Sequence, residues 1–177
     1  MEKTDWSRVY PVFKREEWRH DPDKVLPDLV YLCHDIRLEA CVPFVIHEAW
    51  CSWGHREGSR HFSDLLEGRV CADAVDFHFG VNKLADPPKQ LTFKQQFHIL
   101  NSRPQIGGIG FYPRWKLHKQ KRPGWHIDFR FRSPGRPLYW LKDIGGYTYS
   151  YDPERYLLPR LRHMDLLEKD RKERVNA

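Results

Sequence analysis

Three side chains in distant parts of this sequence have the types that bind a catalytic metal. They are His61, Asp76 and His126, in the segments Ser59-Arg60-His61, Ala72–Asp76 and Trp125–Asp128. Catalytic zinc commonly has three protein ligands drawn from imidazole and carboxylate groups, with water in the fourth position. Zinc lowers the pKa of that water from about 16 to about 7. We therefore expect these three side chains to converge on one zinc ion.

Alternation of side chains along two segments indicates strands that could position two of these ligands. If Ala72–Phe79 is extended, Asp76 lies at the end of a face of small residues, where a metal could fit. In the predicted strand Trp125–Arg132, Asp128 shares a face with His126, and the other face is apolar. We expect Asp128 to orient a ligand histidine or an arginine from behind the metal.

These segments resemble the motifs of a known zinc peptidase family, the D-Ala-D-Ala carboxypeptidases and phage endolysins, whose fold is shared with the Hedgehog signalling domain. The matching residues, in the family's order, are Ser59-Arg60-His61, Ala74-Val75-Asp76 and Trp125-His126-Ile127-Asp128. The run Gly107–Pro113 also resembles a Gly-Gly-x-Gly-x-Tyr-Pro segment that precedes the last ligand in one branch. The resemblance covers residues 10 to 142. It implies an α+β domain, a small antiparallel sheet flanked by helices, that cleaves the stem peptides of peptidoglycan.

The chain departs from the family pattern in two places. The first histidine and the aspartate lie closer together in the family than the fifteen residues that separate His61 from Asp76 here. We interpret Phe62–Cys71 as an insertion; at the family's own spacing, Arg69 would occupy the histidine position and the site would lack a ligand. Many family members also carry an acid three residues before the last histidine, where this chain has Pro123.

A general base and a carboxylate-binding arginine must therefore come from other positions. Glu48 and His118 are the candidate proton shuttles, and Arg56 or Arg60 could hold a terminal carboxylate of the substrate. The alternative for Glu48 is a carboxylate at a strand end that pairs with a nearby arginine.

Helical and strand patterns surround these segments. Helices are predicted over Asp23–Ala40, over Leu91–Asn101 and, after the cap Asp152-Pro153, through Arg174. Strands are predicted over Val42–Trp50, Ala72–Phe79, Ile106–Tyr112, Trp125–Arg132 and Arg136–Lys142, with a basic loop over Pro113–Gly124. Glycines in the third of these strands let the backbone pass close to a bulky group. We expect a peptidase-like domain over residues 1–142 and a C-terminal helical appendage, an extended segment and charged helix, over 143–177.

Composition narrows the function classes. The 177 residues suffice for one domain, and the four cysteines contain no C-x-x-C pair of a zinc ribbon. The net charge of +6 suits an anionic polymer such as the bacterial wall or nucleic acid, and no nucleic-acid-binding motif is present. There is no apolar run of membrane-spanning length and no apolar stretch near the N-terminus typical of a secretion signal. We expect a protein of the host cytoplasm or the virion, with no membrane partner.

Two function classes stay open at this point. In the first, the chain is a zinc D,D-carboxypeptidase or stem-peptide endopeptidase of a phage lysis system or virion, acting on peptidoglycan. In the second, it is a non-catalytic structural component of a phage particle that keeps the fold and contacts other virion proteins through 143–177. The stretched spacing and Pro123 favour the second class. Nucleic acid is the least favoured partner.

Overall fold

The computed structural model describes residues 3–51, 59–66, 69–117, 120–129 and 137–176. Within these residues the protein combines a six-stranded sheet, a two-stranded sheet and three α-helices. The strands are β1 (Phe44–Glu48), β2 (Ser63–Leu66), β3 (Arg69–Cys71), β4 (Ala74–Phe79), β5 (Gly108–Leu117), β6 (Gln120–Asp128), β7 (Leu138–Asp143) and β8 (Gly146–Ser150). The helices are α1 (Pro27–Ala40), α2 (Phe93–Asn101) and α3 (Leu157–Asn176). None of the described helices has the length and apolar character needed to cross a membrane.

The large sheet has the strand order β1-β4-β6-β5-β7-β8. Every neighbouring pair is antiparallel except β5 and β7, which run parallel. The expectation of an antiparallel sheet is therefore wrong at that pair. Because β6 runs antiparallel to β5, it ends beside the start of β5, and β7 begins at the same end of the sheet.

One face of this sheet forms the hydrophobic core. Side chains alternate between faces along a strand, and the apolar positions of the central strands share the core face. The buried members on the strands are Phe44, Ile46, Val75, Phe77, Ile109, Phe111, Trp125, Ile127, Tyr139 and Leu141. Apolar residues of α1, α2 and α3 belong to the same buried cluster. The opposite face of the sheet is therefore left for the polar residues between these positions.

Both helices before the β5–β6 hairpin begin later than the sequence pattern predicts. A 3-10 turn occupies Pro22–Lys24, and α1 starts only at Pro27. Proline has no N–H to donate, so it suits the first helical position and would disrupt a helix already under way. The helix α2 starts at Phe93 because Thr92 and Gln95 form a reciprocal capping box.

The predicted basic loop over Pro113–Gly124 is wrong, because most of it belongs to the hairpin of β5 and β6. Backbone pairing continues from Trp115 opposite Arg122 to Leu117 opposite Gln120. The register shifts between Tyr112 and Trp115, around Pro113, and such an irregularity lets a strand tolerate a residue that cannot donate a ladder hydrogen bond. Pro113 and Pro123 therefore lie where the pairing of β5 and β6 is distorted, and neither proline ends its strand.

The residues after position 142 share the sheet and core of the residues before it. The strand β8 pairs with β7 along its whole length, from Tyr139 opposite Ser150 to Asp143 opposite Gly146. Three leucines of α3, Leu157, Leu158 and Leu161, are buried in the main core cluster. Asp165 further ties α3 to α2, because its carboxylate accepts hydrogen bonds from the backbone N–H groups of Phe93 (2.6 Å) and Lys94 (3.2 Å).

Truncation of a buried leucine in α3 tests this shared core. We expect Leu161→Ala to lower the free energy of unfolding by about 2–5 kcal/mol, because a fully buried side chain leaves a cavity. The matched control is Leu167→Ala in the same helix, half exposed, with an expected change within about 0.5 kcal/mol. Urea unfolding followed by tryptophan fluorescence measures both. Loss of α3 helicity in Leu161→Ala without a shift of the main transition would show that α3 is a separate unit.

Candidate metal centre

The three predicted ligands meet at one point on the polar face of the sheet. One ligand atom from each of His61, Asp76 and His126 lies within 4.8 Å of the others, and all three side chains are buried. Asp76 on β4 stands directly opposite His126 on β6, so the strand pairing alone brings these two together. His61 reaches them from a 3-10 turn over Arg60–Phe62. The predicted convergence is therefore confirmed.

The distances suit a metal at this point. One carboxylate oxygen of Asp76 lies 2.7 Å from Nδ1 of His126, and the other lies 3.5 Å from Nε2 of His61. Ligands at tetrahedral zinc, with bonds of about 2.0–2.1 Å, lie about 3.4 Å from one another. Adjustments of less than about 1 Å would therefore bring all three groups to bonding distance.

The second nitrogen of each imidazole has an acceptor that determines which nitrogen faces Asp76. His61 Nδ1 lies 2.8 Å from the carbonyl oxygen of Ala49, which can only accept, so Nδ1–H donates and Nε2 faces the site. His126 Nε2 donates to the carboxylate of Asp128 at 3.1 Å, which turns Nδ1 toward Asp76. Asp128 is completely buried and thus lies where the sequence predicts a residue that orients a ligand histidine.

Electrostatics in this cluster couple the three side chains. Burial by itself raises the pKa of Asp76, but the charges of His61 and His126, together with their hydrogen bonds, hold the pKa of this carboxyl below its ordinary value. Burial also opposes the charged form of His126, yet Asp76 and Asp128 raise the pKa of its imidazole from 6.5 to about 9. A cation at this position is therefore favoured by the surrounding carboxylates.

Backbone hydrogen bonds on both sides of His61 hold it in position. The carbonyl of His61 accepts from the N–H of Cys51 (3.1 Å), and the carbonyl of Arg60 accepts from the N–H of Asp73 (3.2 Å). The chain then leaves the site as β2 and returns as β3, which pair with each other in a separate small sheet. These two strands are therefore separate from the sheet that carries Asp76 and His126.

Arg60 does not have the free guanidinium expected of a residue that holds substrate. Its guanidinium forms an ion pair with the buried carboxylate of Asp73. Asp73 precedes β4 and needs a positive partner because a buried unpaired carboxylate is costly. The other predicted arginine, Arg56, and the predicted proton shuttle His118 lie outside the described residues.

Glu48, the predicted proton shuttle, lies on the strand next to Asp76. The β1–β4 register shifts between Ile46 and Glu48, and this irregularity sets Glu48 opposite Asp76. Directly opposed residues of an antiparallel pair share one face of the sheet. Glu48, Asp76 and His126 therefore form one row across three adjacent strands.

Two glycines allow tryptophan rings to lie flat against this face. A Cβ atom on Gly110 would come within 2.0 Å of the indole of Trp140, and one on Gly124 within 2.5 Å of the indole of Trp115. The expected bulky neighbour of the glycine-rich strand is thus an indole. Trp140 consequently packs with its ring centroid 5.2 Å from that of His126.

Several residues of this face were not identified from the sequence. Nε2 of His47 lies 2.5 Å from Nδ1 of His78, and the two rings stack, with the edge of Trp115 against His47. His78 follows Asp76 by two residues, and strand alternation along the sequence already assigns it to this face, so His47 and Tyr112 are the residues that sequence reasoning missed. Tyr112 also faces the cluster: burial raises the pKa of its phenol, and the negative charges of Asp76 and Glu48 raise it further.

Comparison of the chain with models of protein families, with curated proteins and with solved structures finds no match. The resemblance to the zinc peptidases therefore rests on the motif residues of the sequence and stays a prediction.

The pKa of His126 makes the stability of the metal-free protein depend on pH. Because the folded pKa is raised from 6.5 to about 9, the stabilisation is complete below pH 6.5 and is lost as the pH rises through about 9. Its upper limit is about 3 kcal/mol. We expect the melting temperature in the presence of a chelator to fall over this range, and a titration of the His126 imidazole by NMR to show the raised pKa. An ordinary pKa for His126 would contradict the described contacts.

Removal of the charge on Asp128 tests the orientation of His126. We expect Asp128→Asn to weaken zinc binding by about 10–100-fold, because residues that hold a ligand histidine contribute strongly to metal affinity. Competition with a chromophoric chelator measures the affinity. Asp165→Asn is the control, because Asp165 lies on α3 and its carboxylate caps the start of α2, and this variant should bind zinc as the wild type does. Equal affinities of Asp128→Asn and the wild type would exclude this role.

Proposed function

We propose that this chain is a zinc-dependent peptidase that hydrolyses an amide bond in peptidoglycan stem peptides, as a D,D-carboxypeptidase or an endopeptidase. The observation that carries the proposal is the buried group of His61, Asp76 and His126, whose ligand atoms lie within 4.8 Å of one another. The resemblance of the surrounding motifs to the zinc peptidases supports the choice of metal and substrate.

The donor set fits zinc. Nε2 of His61, a carboxylate oxygen of Asp76 and Nδ1 of His126 would hold the ion, and three protein ligands leave one coordination position for water. Zinc in such a site supplies a Lewis acid that acidifies water toward neutral pH. The carbonyl of Ala49 and the carboxylate of Asp128 keep both imidazoles turned in the required direction.

Glu48 is the proposed general base. It lies in the same cross-strand row as Asp76 and His126, so a proton accepted there can be passed to the leaving amine on the same face of the sheet. Tyr112 is the proposed hydrogen-bond donor to the developing negative charge. Its raised pKa keeps the phenol protonated, which is the state that donates.

The proposed place of action is the bacterial wall, reached from the host cytoplasm or from a virion. The net charge of +6 is compatible with the anionic polymers of the wall. A second function, a non-catalytic component of a phage particle, is supported by Pro123 at the family's acid position. Leu166 and Leu167 of α3 are exposed and offer an apolar surface to a neighbouring virion protein.

Metal content and product release test the proposal together. We expect the purified protein to contain about one zinc ion per chain and to release D-alanine or stem-peptide fragments from purified peptidoglycan, detected by mass spectrometry. His126→Ala should lose both properties. Glu48→Gln should keep zinc and lose about 10²–10⁴-fold in kcat, since it lacks only the base. The matched control Glu16→Gln, in an exposed position, should retain full activity.

The outcomes separate the two functions. Zinc binding without any product from peptidoglycan would support the structural component and overturn the peptidase. Absence of zinc would remove both the metal centre and the peptidase.

A further inference from the structure

The sheet face that carries the candidate ligands continues beyond His126 as a set of aromatic side chains. We call Tyr112, Trp140, Tyr147 and Tyr149 the aromatic platform. The centroid of Trp140 lies 5.0 Å from that of Tyr112 and 5.5 Å from that of Tyr147. Tyr147 and Tyr149 lie 6.0 Å apart with nearly parallel rings, 16° between planes. Contact of Trp140 with His126 makes the platform continuous with the metal centre.

Strand register explains why these rings share one face. Gly110 stands opposite both His126 and Trp140, and Trp140 stands opposite Tyr149. The row of Glu48, Asp76 and His126 therefore continues through these residues to β8, the sixth strand of the sheet. A distance of three strand spacings, about 14 Å, separates Tyr149 from His126.

Exposure distinguishes the outer part of the platform from packed core. Trp140 is only 5% exposed, whereas Tyr147 and Tyr149 are 49% and 56% exposed. The outer tyrosines thus present ring surface to solvent above a buried indole. Neighbouring aromatic surface left exposed in this way is typical of a binding site. Tyrosine suits such a site because it combines an apolar ring with a polar hydroxyl.

A positive charge lies against the platform. The ammonium group of Lys142 is 4.8 Å from the ring centroid of Tyr147 and 5.9 Å from that of Tyr112. These cation–π contacts hold the lysine beside the rings. A ligand bound on the rings would therefore meet a cation that can pair with a carboxylate.

We propose that the aromatic platform binds the glycan part of the substrate, with an N-acetylhexosamine ring on Tyr147 and Tyr149 and an acidic group of the substrate at Lys142. A pyranose has an apolar C–H face that gains by leaving water against an aromatic ring, and hydroxyl groups at its rim that reach the tyrosine hydroxyls and solvent. This inference rests on the proposed function. It predicts that the enzyme prefers stem peptides still attached to the glycan strand.

The position of the platform suits this substrate. A sugar bound three strands away from His126 lets the peptide attached to it run across β7 and β5 toward the metal ligands. Binding energy from the sugar would then orient an amide bond at the reacting centre.

Charge distribution favours a glycan over single-stranded nucleic acid. Sites for single strands combine stacking rings with a groove of cations that follows the phosphates. The strand β8, Gly146-Tyr147-Thr148-Tyr149-Ser150, carries no lysine or arginine. Arg160, which lies near the β7–β8 turn, is already paired with Asp143 at 3.1 Å.

Saccharide binding to the full chain tests the platform without hydrolysis. The probes are chitotetraose, which is neutral, and an acidic disaccharide, N-acetylglucosaminyl-N-acetylmuramoyl-L-alanyl-D-glutamate, whose free carboxylates belong to its peptide as they do in the substrate. Calorimetry in the presence of a chelator should detect binding of both. We expect Tyr149→Ala to weaken both by at least about tenfold, and Tyr149→Phe, which keeps the ring, to bind within about threefold of the wild type. Lys142→Met should weaken only the acidic disaccharide.

Tyr10→Ala is the matched control, because Tyr10 is an exposed tyrosine far from the platform in sequence, and it should bind both probes as the wild type does. Melting temperatures of all variants verify folding. No binding of either saccharide, or equal binding by Tyr149→Ala, would overturn the proposal. Tighter binding of an oligothymidylate than of both saccharides would also overturn it and assign the platform to nucleic acid.

Kinetics separates this proposal from the proposed function. With disaccharide-linked pentapeptide as substrate, Tyr149→Ala should raise KM by about tenfold, while kcat/KM for the free pentapeptide stays unchanged. If the protein binds saccharides through Tyr149 but cleaves neither substrate, the proposal for the platform is supported and the peptidase is rejected. If the protein cleaves both substrates with equal efficiency and binds no saccharide, the peptidase is supported and the proposal for the platform is rejected.

Discussion

A buried carboxylate that must be neutralised is the constraint on which this structure depends. Asp76 is buried on β4, between β1 and β6 of the large sheet, where removal of its charge from water costs several kcal/mol. His61 and His126 supply the compensation, and each is held in turn by an acceptor on its other nitrogen. The same three side chains form a group that could hold a metal ion.

The strands that carry Asp76 and His126 each have one apolar face and one polar face, so the polar cluster and the hydrophobic core lie on opposite sides of the sheet. Along β4, Val75 and Phe77 point into the hydrophobic core while Asp76 between them points to the other face. The same alternation on β6 separates Trp125 and Ile127 from His126. Asp76 and His126 are thus each held by a strand whose packing on the opposite side fixes its position, and helix α3 adds to that packing. Rigid supports of this kind favour a precise metal geometry.

Aromatic residues extend the same polar face outward from the ligands. The absence of a side chain at Gly110 lets Trp140 lie beside His126, and the tyrosines of β8 continue from there. One cross-strand row therefore contains the proposed base, two candidate metal ligands and part of the aromatic platform. A peptidase that acts on a glycan-linked peptide would need these groups in this order.

Local sequence determined the ligand types, the alternation that turns Asp76 and His126 away from the core, and the caps that start α2, because these depend on neighbouring residues. Only the tertiary structure decided which distant groups meet. The ion pair between Arg60 and Asp73 joins residues that are not neighbours in the sequence. The same is true of the contacts by which β8 joins the main sheet and α3 joins the core. The parallel pairing of β5 with β7 is likewise invisible in local patterns, because strand order is set by how separate segments bury their apolar faces together.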